Sequence, residues 1–129
     1  MQEAVDKGDQ VVFLTHSGPA TSATTLIRTD VTEPDPIWKF YHHVNSGSPS
    51  FLDILRTPPK PTSGTPVTRP LIPLVLHGHS HWSRGVHRIN ASTVVNPGSF
   101  KDCAAGLIEL KRDAESGEWK VGTVELIEF

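Results

Sequence analysis

LVLHGHSH (residues 74–81) runs from an apolar stretch straight into imidazoles: His77, His79 and His81 are three of the chain's seven histidines. The apolar part is residues 71–76. It is continuous rather than alternating, which reads as a strand buried on both faces. A second run of the same kind, VVFLT (residues 11–15), also stops at a histidine, His16, before Ser17-Gly18-Pro19 breaks the chain into loop. Two buried strands that each end in histidine set the fold class. They predict an α/β or α+β sheet domain with its working loops at strand ends.

The rest of the chain arranges itself around these strands. Residues 1–10 read as a short polar helix stopping at Gly8, where a missing Cβ suits a helix end. Residues 20–50 carry a weak pattern, with one helical turn expected over residues 37–43. Phe51-Leu52-Asp53-Ile54-Leu55 starts a helix capped by Ser48 or Ser50, with Pro49 tolerated in the first turn. TPPKPTSGTPVTRP (residues 57–70) has no apolar period and reads as an exposed, mobile loop or insertion. Residues 85–89 and 92–95 form two short strands joined at Asn90-Ala91, and residues 96–99 a turn. Residues 105–110 and 119–127 make a last β-hairpin around a polar loop.

With 129 residues the chain is one domain, near the small end of what buries a good core. Hydrophobic residues at 36% and charged residues at 20% are those of a soluble globular protein. A net charge of −2 offers no electrostatic case for nucleic acid or an anionic membrane. No apolar run approaches the ~20 residues of a membrane span. The single cysteine, Cys103, excludes an internal disulfide and any multi-cysteine zinc site, and fits a reducing, cytoplasmic setting.

Neutral imidazole is a good ligand for Zn, Fe, Ni and Cu, and serves Mn in a mixed site. While extended geometry persists, His77, His79 and His81 are spaced to face one way. Spacing alone leaves open a metal site and a solvent-facing strand end rich in imidazole. The second histidine-terminated strand favours the metal: loops leaving the carboxyl ends of adjacent strands converge on one crevice. Neighbouring strands would bring His16 to the cluster.

Thr15-His16, then Gly78-His79-Ser80-His81, then Asn96-Pro97-Gly98-Ser99, in that order and all at strand ends, resembles the calcineurin-like metallophosphoesterases. The likeness spans residues 11–99, and the terminal hairpin fits the closing strands. It implies one partial domain over residues 1–129, the C-terminal part of a four-layer α/β/β/α sandwich. It implies a dinuclear centre of divalent Mn, Fe, Zn or Ni that hydrolyses phosphomonoesters or phosphodiesters. His16 and His79 would ligate one metal and His81 the other. His77 is given no role, and Asn96 and Ser99 stand in the turn behind the site. The substrate would be a small phosphate ester or a phosphorylated molecule.

The family's early motifs are missing. No aspartate precedes a histidine by two positions, no Asn-His pair occurs, and Val12 follows Gly8-Asp9 where a second aspartate would be needed. Two divalent ions ~3.5–4 Å apart need bridging and terminal anionic ligands, and neutral histidines cannot supply them. The expectation is therefore half a site, weakly active or inactive alone, with no catalytic residue of its own. An N-terminal half or self-association would complete or cover it. The alternative is a non-catalytic scaffold that retains the fold.

Other residues have plainer readings. His42-His43 sits in an unpatterned segment and reads as solvent-facing, and His87 as a half-exposed sheet residue. Trp82 reads as loop packing near the pocket mouth. Arg84 is the nearest cation for a phosphate oxygen, with an ordinary surface arginine the simpler reading. Cys103 reads as a buried small apolar residue.

Overall fold

A computed structural model describes residues 1–25, 46–64 and 69–129. The described residues are mixed α/β, mostly strand with two short α-helices. Helix α1 (Gln2–Lys7) ends at Gly8 in the left-handed conformation, as its sequence predicts. Strand β1 (Val12–Thr15) follows. Helix α2 (Pro49–Arg56) starts at Ser48, whose hydroxyl accepts from the Phe51 amide at 3.3 Å, with Pro49 opening the helix. Strands β2 (Leu74–His77), β3 (Gly85–Ile89) and β4 (Ser92–Asn96) complete a sheet of order β1-β2-β4-β3. β1, β2 and β4 are mutually parallel; β3 returns antiparallel on β4. A 3-10 turn (Phe100–Asp102) that the sequence reading left out leads into β5 (Ala104–Arg112), which pairs with β6 (Trp119–Glu128) as a separate two-stranded sheet.

Val75, Val94 and Ile89, which share one face of the larger sheet, pack against Phe51, Leu52 and Leu55 of α2 and Val5 of α1. Phe13 meets Phe51 edge-on at 5.2 Å between ring centres. The hairpin is tied to the domain by Gln10. Its side-chain amide donates to Trp119 O at 3.0 Å and accepts from Trp119 N at 2.6 Å.

One expectation needs correction. β1 is not buried on both faces: it is the first strand of the sheet, and Leu14 is 81% exposed and Val12 46%. A continuous apolar run specifies a strand but not what covers it. Residues 57–64 are exposed, and hydrogen bonds join them to α1. The Thr62 amide donates to Asp6 Oδ1 at 2.7 Å, and the Gln2 amide donates to Lys60 O at 3.1 Å, so α1 holds the proline-rich segment. The helical turn expected over residues 37–43, and with it His42-His43, lies outside the described residues. No helix among the described residues is long and apolar enough to cross a membrane.

Candidate functional site

The parallel register of β1 and β2 sets Thr15 opposite His77. The ladder continues one step further, with Gly78 N donating to His16 O at 3.1 Å. That bond brings the exit of β1 alongside the GHSH segment. His79 then takes a left-handed backbone conformation, φ 63°, which costs a non-glycine residue roughly 1–2 kcal/mol. The bend carries its ring to His16: His79 Nδ1 and His16 Nε2 are 3.0 Å apart, with ring centres at 4.7 Å. Both residues are exposed. Convergence of the two strand ends thus has a specific cause, one ladder bond and one left-handed residue.

The even spacing of His77, His79 and His81 does not put them on one face, because the strand ends at His77. His77 turns inward and is buried. Its Nδ1 lies 3.0 Å from Gly78 O and its Nε2 2.8 Å from Thr24 Oγ1. A carbonyl only accepts, so Nδ1 carries the proton and Nε2 accepts from the Thr24 hydroxyl. Burial holds the His77 pKa below its ordinary 6.5, outweighing the Gly78 hydrogen bond that acts to raise it; His79 adds a further lowering influence. His77 is a neutral, satisfied core histidine. The ring packs so tightly over Gly18 that a Cβ there would overlap it.

His81 points elsewhere, its Nδ1 3.5 Å from Asp102 Oδ2, both side chains about half exposed. Sequence reading passed over Asp102, which reaches His81 only because the 3-10 turn follows the Asn96-Pro97-Gly98-Ser99 segment. Arg84 is not a free surface cation: its side chain is largely covered and paired with Glu128 of β6. His87 is half-buried in β3 and Trp82 is exposed. Cys103 is exposed, not buried, and sits in a left-handed turn at φ 54°.

Behind the imidazoles lies a buried polar network. Ser22 and Thr25 hydroxyls donate to Pro19 O at 3.1 and 2.8 Å, and Ser22 Oγ is 2.9 Å from Thr24 Oγ1. Asn96, at the end of β4, reaches into the same region. Composition gave no sign of this network, because its serines and threonines are ordinary loop residues and the partner of Thr24, His77, lies 53 positions away.

The two imidazole nitrogens are the donors that one ion could take. Tetrahedral metal–imidazole bonds of about 2.0–2.1 Å place neighbouring ligand nitrogens roughly 3.3–3.4 Å apart. His16 Nε2 and His79 Nδ1, at 3.0 Å, stand at hydrogen-bond distance and would have to part slightly and give up the proton between them to hold an ion. They do not suit two ions. Among the described residues, no three His, Cys, Asp or Glu side chains gather as a metal-holding group, and no carboxylate stands between His79 and His81 as a bridge would. No family model, no curated protein and no solved structure matches the chain.

Proposed function

We propose that this chain carries the histidine-bearing part of a metallophosphoesterase-type domain. It supplies His16 and His79 to one divalent ion, and His81 to a second, in a phosphoester-hydrolysing centre. Among the described residues no carboxylate joins the His16–His79 pair. The observation that carries the reading is the pairing of His16 with His79 at the ends of neighbouring parallel strands. The Asn96-Pro97-Gly98-Ser99 turn, joined through Asn96 to Ser80 O next to His79, supports it. In this reading the helices, the four-stranded sheet and the hairpin are layers of a larger four-layer sandwich. Arg84 contacts phosphate only after release from Glu128.

Alone, the chain then binds a single Mn²⁺, Zn²⁺ or Ni²⁺ weakly and turns over phosphate esters little or not at all. Calorimetric titration with each ion is expected to give one weak site, lost in His16→Ala and in His79→Ala. Assay with p-nitrophenyl phosphate and Mn²⁺ is expected to show negligible hydrolysis; robust turnover by the isolated chain would overturn this reading.

A second reading, a non-catalytic interaction module, is favoured by exposed apolar surface. Leu14 stands on the first strand of the sheet, and Leu107, Phe100 and Phe129 stand out from the hairpin region. Light scattering tests it: concentration-dependent association supports the module, and a clean monomer at high concentration counts against it.

A further inference from the structure

Asn96 is fully buried, at 0% exposure, where β4 gives way to Pro97-Gly98-Ser99. Its side-chain nitrogen faces three backbone carbonyls: Ser80 O at 2.8 Å, Ser83 O at 3.1 Å and Thr24 O at 3.1 Å. Its Oδ1 accepts from Gly98 N at 3.0 Å. Both hydrogens of the amide are therefore engaged, one of them shared, and its oxygen is satisfied.

The carbonyls it gathers belong to the two segments that carry the imidazole pair. Ser80 directly follows His79, and Ser80 and Ser83 bracket the turn through His81 and Trp82. Thr24 belongs to the loop that leaves His16, and its hydroxyl meets His77. Ser80 is held a second time, by the Ser46 hydroxyl. Between these anchors His79 keeps a left-handed backbone that it would not adopt by preference. On one side of it Gly78 N is bound to His16 O; on the other, Ser80 O is bound to Asn96. A strained residue persists only where its flanks are fixed, and here Asn96 fixes one flank.

We propose that Asn96 is a positioning residue for the imidazole pair. Its amide locks the GHSH segment to the loop after β1 and thereby holds His79 against His16. The consequence for metal binding rests on the reading of that pair as an ion-holding site. A purely structural asparagine would lower stability when replaced and leave the pair intact. A positioning asparagine loses the pair in a chain that still folds.

The test compares Asn96→Ser with Ser92→Ala. The latter removes a buried hydrogen bond (Ser92 Oγ to Ile72 O, 2.6 Å) at the other end of the same strand. Two quantities are read in each: NMR cross-relaxation between the His16 and His79 ring protons, and affinity for Ni²⁺ alone. Asn96→Ser is expected to lose the ring-to-ring signals and to bind Ni²⁺ roughly tenfold or more weakly. Ser92→Ala keeps both while its melting temperature falls. Retention of the ring signals in folded Asn96→Ser overturns the proposal.

Should that variant not fold, Asn96→Asp, which keeps the shape and the acceptor to Gly98, is read in the same way. In the wild-type chain the Asn96 side-chain amide protons are expected to exchange slowly and to show contacts to Ser80 and Ser83. Fast exchange without those contacts also overturns the proposal. A wild-type chain with ring signals but no Ni²⁺ binding sinks the metal reading alone, since the ring signals still decide the role of Asn96.

Discussion

His77 Nε2 accepts a hydrogen bond from Thr24 Oγ1 at 2.8 Å, joining the end of β2 to the loop that follows β1 in a site closed to solvent. Thr24 in turn lies 2.9 Å from Ser22 Oγ. The Thr24 hydroxyl spends its one hydrogen on the His77 ring. Removing the Thr24 hydroxyl leaves a buried ring nitrogen with nothing to accept from. Thr24→Val is expected to lower unfolding stability by about 1–3 kcal/mol, and Thr24→Ser by much less. Urea unfolding of the three chains measures the difference; an unchanged midpoint for Thr24→Val would count against this hydrogen bond.

Gly18 lies under the His77 ring. A methyl group at this position overlaps an aromatic ring already held by two hydrogen bonds, so neither side can yield cheaply. Gly18→Ala is expected to destabilise by about 1–3 kcal/mol through overpacking. The double variant Gly18→Ala/His77→Ala is expected to recover part of that loss, which thermal unfolding of the four chains of the cycle would reveal as non-additivity.

The carboxyl of Asp6 is held below its ordinary 3.8, chiefly by the Thr62 backbone N–H and then by the Gln2 amide. A carboxylate with a lowered folded pKa contributes stability above its unfolded pKa and loses it as pH falls through the folded value. Wild type is therefore expected to exceed Asp6→Asn in stability at about pH 5, with the gap closing as the pH drops below about 4. The slowed exchange of the Thr62 amide should disappear over the same range. A gap independent of pH would show that the carboxylate is not what tethers residues 57–64.

Cys103 is exposed and its turn is left-handed. The native chain is expected to present one thiol that reacts with Ellman's reagent as fast as in urea. Protection of that thiol in the native chain would contradict its placement. Cys103→Gly, which suits the positive φ, is expected to leave stability unchanged or slightly raised.

Much of the scaffold was legible because its signals are local. Ser48-Pro49 announces a helix start, Gly8 a helix end, and Asn90-Ala91 a tight connection, each within a few residues of the structure it determines. The meeting of His16 with the GHSH segment was legible through a topological rule about strand ends. What stayed hidden depends on distant partners. His77 is buried because Thr24 waits for it, and Arg84 is occupied because β6 returns Glu128 to it. Residues 57–64 are held because α1 presents Gln2 and Asp6. Leu14 shows the converse: the apolar run containing it encodes a strand, and nothing in that run says that β1 begins the sheet.

The parallel pairing of β1 with β2 also bears on how the chain reaches this state. β3 with β4 and β5 with β6 are joined by short connections and can zip early. Val12 finds Leu74 only after the whole intervening segment, including α2, has closed into a loop. Parallel pairings of such long range are slow, so β1 is expected to be among the last strands to dock. Until it does, β2 presents an open ladder to any extended chain nearby. Refolding yield should therefore fall with protein concentration more steeply than the size of the domain alone would suggest. Substitutions that weaken β1 pairing, such as Phe13→Ala, should lower that yield as well as stability.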